Sequence, residues 1–151
     1  MCWQGKNVPL IADKEINVFK LVLVNEDGVI TSVYHRNHTW KLGKIYTTSV
    51  KGTPIGNHEA RVYKGFHCYS VKDVFLELVD ANKIIHVRHL FKNLDSFWRQ
   101  DRTYGYHVSV MECTIPKGAL YYKNEYGEIV TDRICPNTVE DEPKHLIFKM
   151  K

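Results

Sequence analysis

The sequence has no long apolar run, no C-x-x-C pair, no internal repeat and no low-complexity tract. A membrane-spanning helix needs about 20 consecutive apolar residues, and the uncharged apolar stretches here are far shorter, so no such span is expected. No apolar segment follows Lys6 at the start of the chain, so a secretory signal is not expected and the sequence reads as cytoplasmic with reduced thiols. Cysteine is sparse: Cys2, Cys68, Cys113 and Cys135 lack the spacing of a metal site or a disulfide framework. Cys68 and Cys113 fall in strand-like runs and read as small buried hydrophobes. Loss of Met1 would make Cys2 an N-terminal nucleophile.

What remains is an ordinary composition: 151 residues, 44% hydrophobic, 25% charged, with a formal charge of +4. A chain of this length buries roughly 68–70% of its unfolded surface in one core, so residues 1–151 read as a single domain. The charge is unevenly spread. Between Lys41 and Lys64 the positives Lys41, Lys44, Lys51, Arg61 and Lys64 face Glu59 alone, whereas the stretch from Glu112 to Glu142 is mostly acidic. A basic, aromatic-rich middle attracts phosphate-bearing ligands. The stripe is too weak for duplex nucleic acid to be expected as a partner.

The pattern of residues predicts an α+β fold built on a mostly antiparallel, twisted sheet. Asn17 to Val24 and Val29 to Tyr34 form a hairpin around Asn25-Glu26-Asp27-Gly28. A third strand is expected from Lys44 to Val50, a loop over Lys51 to Asn57 from its glycine and proline content, and one strand from Val62 to Tyr69. Ser70-x-x-Asp73 resembles a helix cap, and Val71, Val74, Phe75, Leu78 and Val79 share one helical face, so a firm helix is predicted over 71–81. Lys83 to Val87 follows as a strand. A possible second helix or lid covers 89–99, and Tyr106 to Ile115 alternates as a strand. Leu120-Tyr121-Tyr122 and Glu128 to Ile134 are further strands joined by the turn Asn124 to Gly127. One ring of the Tyr121-Tyr122 pair is expected in the core and the other in solvent. A polar link from Pro136 to Lys144 precedes the apolar tail Leu146 to Phe148.

The segments Pro9-Leu10-Ile11-Ala12, Gly65-Phe66-His67-Cys68-Tyr69-Ser70, Ile115 to Tyr122 and Gly127-Glu128-Ile129-Val130 resemble, over nearly the whole chain, small proteins of gut bacteria and their phages. That resemblance implies an accessory role in which a small protein binds a host protein or a nucleotide signal, with counter-defence among the uses. Phe19-Lys20, Tyr69-Ser70 and Glu128 also fall in the order of the ADP-ribosyltransferase fold. That fold would make Glu128 the acid of an enzyme acting on NAD, and His67 is the second catalytic candidate if the chain is an enzyme. The sequence departs from it by lacking the first arginine and the Ser-Thr-Ser motif.

Read from the residues themselves, His67 near a helix start is a candidate phosphate ligand or base. Ser70 stands where free backbone N–H groups would meet an anion. Aromatic faces, Tyr63, Tyr69 and Tyr104 among them, can stack a base beside Arg61, Lys64 or Arg102. Trp98 and Arg99 have the composition of a protein-docking hot spot. The resulting expectation is a small binding module, not an enzyme with an intact catalytic set. Its ligand site comprises Arg61, Lys64, His67, Tyr69, Ser70, Arg102 and Tyr104, its ligand is NAD or a related nucleotide-like anion, and its alternative partner is a host protein. No resident cofactor, metal or membrane contact is expected. A third reading is an oligomeric interaction protein that pairs through Leu146 to Phe148 as an added edge strand.

Overall fold

Two asparagine-led turns organise the chain. In each, Asn25 or Asn124 folds its side-chain oxygen back onto backbone N–H groups two and four residues on, at 2.8–3.0 Å, and the fourth residue, Gly28 or Gly127, takes a left-handed φ of 80° or 78°. The flanking β-branched residues then pair as strands. A computed structural model describes residues 3–32, 38–71 and 107–139. The first seven strands are β1 (Trp3–Lys6), β2 (Leu10–Ile11), β3 (Ile16–Val24), β4 (Ile30–Ser32), β5 (Thr39–Trp40), β6 (Tyr46–Thr47) and β7 (Lys51–Ile55). The rest are β8 (Glu59–Lys64), β9 (Phe66–Tyr69), β10 (His107–Ile115), β11 (Leu120–Lys123), β12 (Glu128–Thr131) and β13 (Arg133–Val139).

The larger sheet runs β2-β11-β12-β9-β3-β10-β13-β6, with β4 beside β3 and β5 beside β4. Its spine is the antiparallel pair β3–β10, in register from Ile16↔Ile115 to Val24↔His107. Strands β12 and β13 are consecutive in the chain, joined through Asp132 alone, yet β9, β3 and β10 lie between them in the sheet. The sheet therefore curls back on itself. Its concave face gathers Val18, Val22, Met111, Ile115, Ile129 and Ile134, each no more than 1% exposed. Burying each such side chain stabilises the fold by roughly 1.5–3 kcal/mol.

The smaller sheet, β1-β8-β7, packs on the convex side. Trp3 and Val62 close over Val130, with Val50 and Tyr122 at the margin. The Trp3 indole N–H donates to the Glu128 carbonyl at 2.9 Å, and its ring lies 5.6 Å from that of Tyr122. The chain passes from one sheet to the other at Gly65, where φ is 143° and a Cβ would stand 2.6 Å from Val130 Cγ2.

The α+β expectation is corrected here: the described residues are all-β, with no helix among them. The physical reason is closure, because the curled sheet covers its own concave face with strand residues where a flat sheet would need a helix layer. Of the helix predicted over 71–81, only Val71 is described, and it is exposed and not helical. The remainder, the predicted strand Lys83 to Val87 and the second helix over 89–99 lie outside the described residues, as does the tail Leu146 to Phe148.

Finer expectations also change. The loop expected over Lys51 to Asn57 is mostly strand β7, because at a sheet edge glycine and Pro54 are tolerated where a central strand would reject them. The strand expected from Lys44 to Val50 shrinks to Tyr46–Thr47. The runs from Val62 to Tyr69 and from Glu128 to Ile134 are each broken in two, at Gly65 and at Asp132, and β13 continues to Val139 through the residues read as a polar link. Finally, neither ring of Tyr121-Tyr122 is left in solvent: Tyr121 packs against the concave core and Tyr122 against the Trp3 cluster.

Candidate functional site

The smaller sheet turns one face inward, through Trp3, Ala60 and Val62, and the other to solvent. Alternation along β8 sends Glu59, Arg61 and Tyr63 outward. Arg61 sits between Gln4 of β1 and Thr53 of β7. In the orientation that satisfies both groups, the Gln4 amide oxygen accepts from Arg61 Nη2 at 3.0 Å and Nε at 3.1 Å. The guanidinium is thereby held upright on the sheet.

One row further, β7 and β8 shift register. Gly52 faces Val62 and Lys51 faces Lys64, so Tyr63 is an extra residue in a β-bulge. Lys51 and Lys64 are both exposed and directly opposed, and like charges opposite one another destabilise a strand pair. Tyr63, 56% exposed, presents its ring beside them. Arg61 and Lys64 thus both lie exposed on β8, with Tyr63 between them in the chain and Lys51 set opposite Lys64 by the register.

His67, Tyr69 and Ser70 belong to the other sheet, beyond Gly65. His67 pairs in register with Val130 and Tyr69 with Glu128, and the Ser70 N–H donates to the Gly127 carbonyl at 2.8 Å. Ser70 therefore serves the β9–β12 pairing and caps no described helix. Glu128 stands diagonally across from His67 on the neighbouring strand. Its carboxylate accepts from Asn124 Nδ2 at 3.2 Å, so its side chain is engaged in the turn. Arg102, Tyr104, Trp98 and Arg99 lie outside the described residues.

A residue that sequence reading did not single out as a site stands inside the curl. Along β3, Ile16, Val18, Lys20, Val22 and Val24 share the concave face by alternation. Lys20 pairs with Met111 of β10. The Phe19↔Tyr69 pair sets Cys68 of β9 beside Lys20 by antiparallel register. Ile129↔Cys68 and Met111↔Val139 extend the same row, so one lysine crosses a row otherwise made of Ile129, Cys68, Met111 and Val139. Its Nζ donates to the His67 carbonyl at 2.8 Å and lies 5.9 Å from the centre of the Trp40 ring. Trp40 is itself packed edge-on against Phe66 and Tyr46.

Burial pulls the Lys20 amine below its ordinary value, an effect opposed by the Cys68 and Cys113 thiolates. Burial likewise pushes both thiols up to about 12, against the attraction of Lys20. At neutral pH both thiols are therefore protonated, and desolvation of the lysine acts without their opposition. Among the described residues no carboxylate forms an ion pair with Lys20. Cys68, Cys113 and Cys135 are free, and no cluster of three metal-ligating side chains occurs among the described residues. No described helix is long and apolar enough to cross a membrane.

Compared with protein-family models, with curated proteins and with solved structures, the chain matches none.

Proposed function

We propose that this chain is a small binding module for a nucleotide-like anion, held on the solvent face of the β1-β8-β7 sheet. The observation that supports this reading is the Lys51↔Lys64 opposition beside an exposed tyrosine. Two ammonium groups facing one another repel in the free protein, and a phosphate set between them converts that repulsion into two attractions. Arg61, braced by Gln4, adds a planar donor fork suited to phosphate oxygens. Tyr63 supplies a face on which a base stacks, a contact worth roughly 1–3 kcal/mol per base. An open sheet face of this kind lacks the concavity that usually buries a small molecule, so an extended ligand with several phosphates fits it better than a mononucleotide.

The test is titration of the full chain with a fluorescently labelled single-stranded oligonucleotide and, separately, with NAD, at two salt concentrations. Binding that weakens as salt rises is expected, with a slope reduced by roughly one unit for each of Lys51→Ala, Lys64→Ala and Arg61→Ala that removes a phosphate contact. Tyr63→Ala is expected to weaken binding without changing the slope. Absence of binding to either probe at low salt, or binding unaffected by the four substitutions, refutes the reading and shifts attention to a protein partner.

A further inference from the structure

We propose that the ligand of the exposed β1-β8-β7 face is single-stranded nucleic acid, held by two successive backbone phosphates with the nucleoside between them stacked on Tyr63, and that Glu59 closes one end of the site. This inference rests on the reading of that face as an anion site and narrows it to ligands whose phosphates flank a nucleoside.

Three observations support it. First, directly opposed residues of an antiparallel pair share a face, so the solvent side reads as rows across the strands. Gln4, Arg61 and Thr53 form one row, and Lys6, Glu59 and Ile55 form the next. Gln4 engages Nε and Nη2 of Arg61, which leaves Nη1, with the exposed Thr53 opposite, to donate to a phosphate. Second, Lys51 and Lys64 make another anion point three positions along β8, about 10 Å away at the rise of a strand. Tyr63, 56% exposed, lies between the two points in chain order. The sequence along the face is therefore cation, aromatic ring, cation. A nucleic acid strand repeats phosphate, nucleoside, phosphate, whereas a dinucleotide such as NAD joins its two phosphates through one oxygen and carries both nucleosides outside them. Third, the charged length is bounded. Glu59 follows Arg61 on the side away from the lysines and cancels Lys6 opposite it, and beyond Lys64 the chain leaves for the other sheet at Gly65.

The shape of the face favours a strand over a free nucleotide. A sheet surface has no wall to enclose a small molecule, and the same openness lets a chain enter past Glu59 and leave past Lys64. A base lies flat on a tyrosine ring only when it is unpaired, which makes the recognised form single-stranded and tolerant of base identity. One nucleoside with a phosphate on either side fills the attractive length, and the next phosphate on the Arg61 side meets the Glu59 carboxylate.

The experiment displaces a fluorescently labelled oligothymidylate from the full chain at low salt with three unlabelled competitors. Two are isomers with the same base and the same number of phosphates: thymidine 3′,5′-bisphosphate, whose phosphates flank the nucleoside, and thymidine 5′-diphosphate, whose phosphates adjoin. The third is 5′-phosphorylated trithymidylate. The bisphosphate is expected to compete at a concentration roughly tenfold below that of the diphosphate, the worth of one stacking contact, and trithymidylate about as well as the bisphosphate. In Glu59→Lys, a substitution at an exposed position, trithymidylate is expected to outcompete the bisphosphate and its log–log salt slope to steepen by roughly 0.7, the value for one added phosphate contact on a single strand. Equal competition by the two isomers overturns the proposal and leaves an anion face without order. Competition by the bisphosphate but not by trithymidylate overturns it in favour of a free nucleotide, and a Glu59→Lys protein with no gain for the longer strand overturns the boundary. Binding of NAD without binding of the labelled strand defeats this inference alone, whereas binding of neither defeats the reading on which it rests.

Discussion

Asp132 and Leu120 bond to one another twice. The Asp132 backbone N–H donates to the Leu120 carbonyl at 3.1 Å, and the Leu120 N–H donates to Asp132 Oδ1 at 3.0 Å. This reciprocal pair sits where β12 becomes β13, and the Asp132 carbonyl adds a third bond by accepting from Thr48 N–H at 2.8 Å. The corner that curls the large sheet is thus fixed by one aspartate, while its 3.6 Å ion pair with the partly exposed Arg133 adds little.

Asp132→Ala is accordingly expected to lower stability by about 1.5–3 kcal/mol, the range for a hydrogen bond to a charged group. Asp132→Asn keeps the acceptor oxygen and is expected to lose less than half of that. Urea unfolding of the three proteins makes the comparison, and equal losses in both variants would show that charge, not acceptor geometry, holds the corner.

Gly65 is expected to tolerate no side chain. At φ 143° an added Cβ would meet Val130 Cγ2 at 2.6 Å and the Thr131 carbonyl at 3.3 Å, and Val130 is fully buried and has nowhere to move. Backbone strain of this kind amounts to about 1–3 kcal/mol, so Gly65→Ala should depress the melting temperature more than an alanine at the neighbouring exposed Lys64. A melting temperature within error of wild type would contradict the sheet-switching role assigned to Gly65.

Trp3 joins the two sheets, so Trp3→Ala is expected to destabilise the protein by about 3–5 kcal/mol through loss of a large buried ring. Trp3→Phe keeps most of the packing and removes one of the two hydrogen bonds that the Glu128 carbonyl accepts, the one from Asn124 N–H at 3.1 Å remaining, for about 1 kcal/mol at most. Chemical denaturation again provides the measurement, and a Phe variant as damaged as the Ala variant would assign the effect to the hydrogen bond.

The core row makes a prediction about pH. Lys20 ionises near 10.5 when the chain is unfolded and lower when folded, so between those values the unfolded state holds the extra proton and stability rises with pH up to about 10.5. The thiols Cys68 and Cys113 act in the opposite sense. Their ordinary value of 9.0 is raised to about 12, so the folded state holds the extra protons in that window and stability falls as pH climbs from about 9 to about 12. Lys20→Met removes the first effect and leaves the second. The stability of Lys20→Met relative to wild type is therefore expected to decline as pH approaches 10.5, as read from unfolding curves at a series of pH values. A difference independent of pH would show that Lys20 is not desolvated in the fold.

Local chemistry was legible in the sequence wherever the structure depends on neighbours in the chain. The turns at Asn25 to Gly28 and Asn124 to Gly127 needed only an asparagine side chain and a left-handed glycine, and the alternation from Tyr106 to Ile115 appears as β10, His107–Ile115. The burial of Cys68 and Cys113 followed from the strands that hold them. Of the exposed basic face, Arg61 and Lys64 could be picked out by residue type. The opposition of Lys51 to Lys64 could not, because a bulge in the β7–β8 pair decides it.

Lys20 shows most plainly what tertiary structure decided. In β3 both faces are apolar, Val18, Val22 and Val24 on one and Phe19, Leu21 and Leu23 on the other, so the pattern does not say which face the curled sheet will enclose. Strand parity put Lys20 with the valines, and the closure of β12 onto β13 at Asp132 made their face the interior. The sequence by itself determined where strands and turns form, because those depend on contacts a few residues long. Which side of each strand became core, which sheet each half of a run joined, and which charges met were decided by pairings between distant residues, and a shift of one position there reverses every side chain.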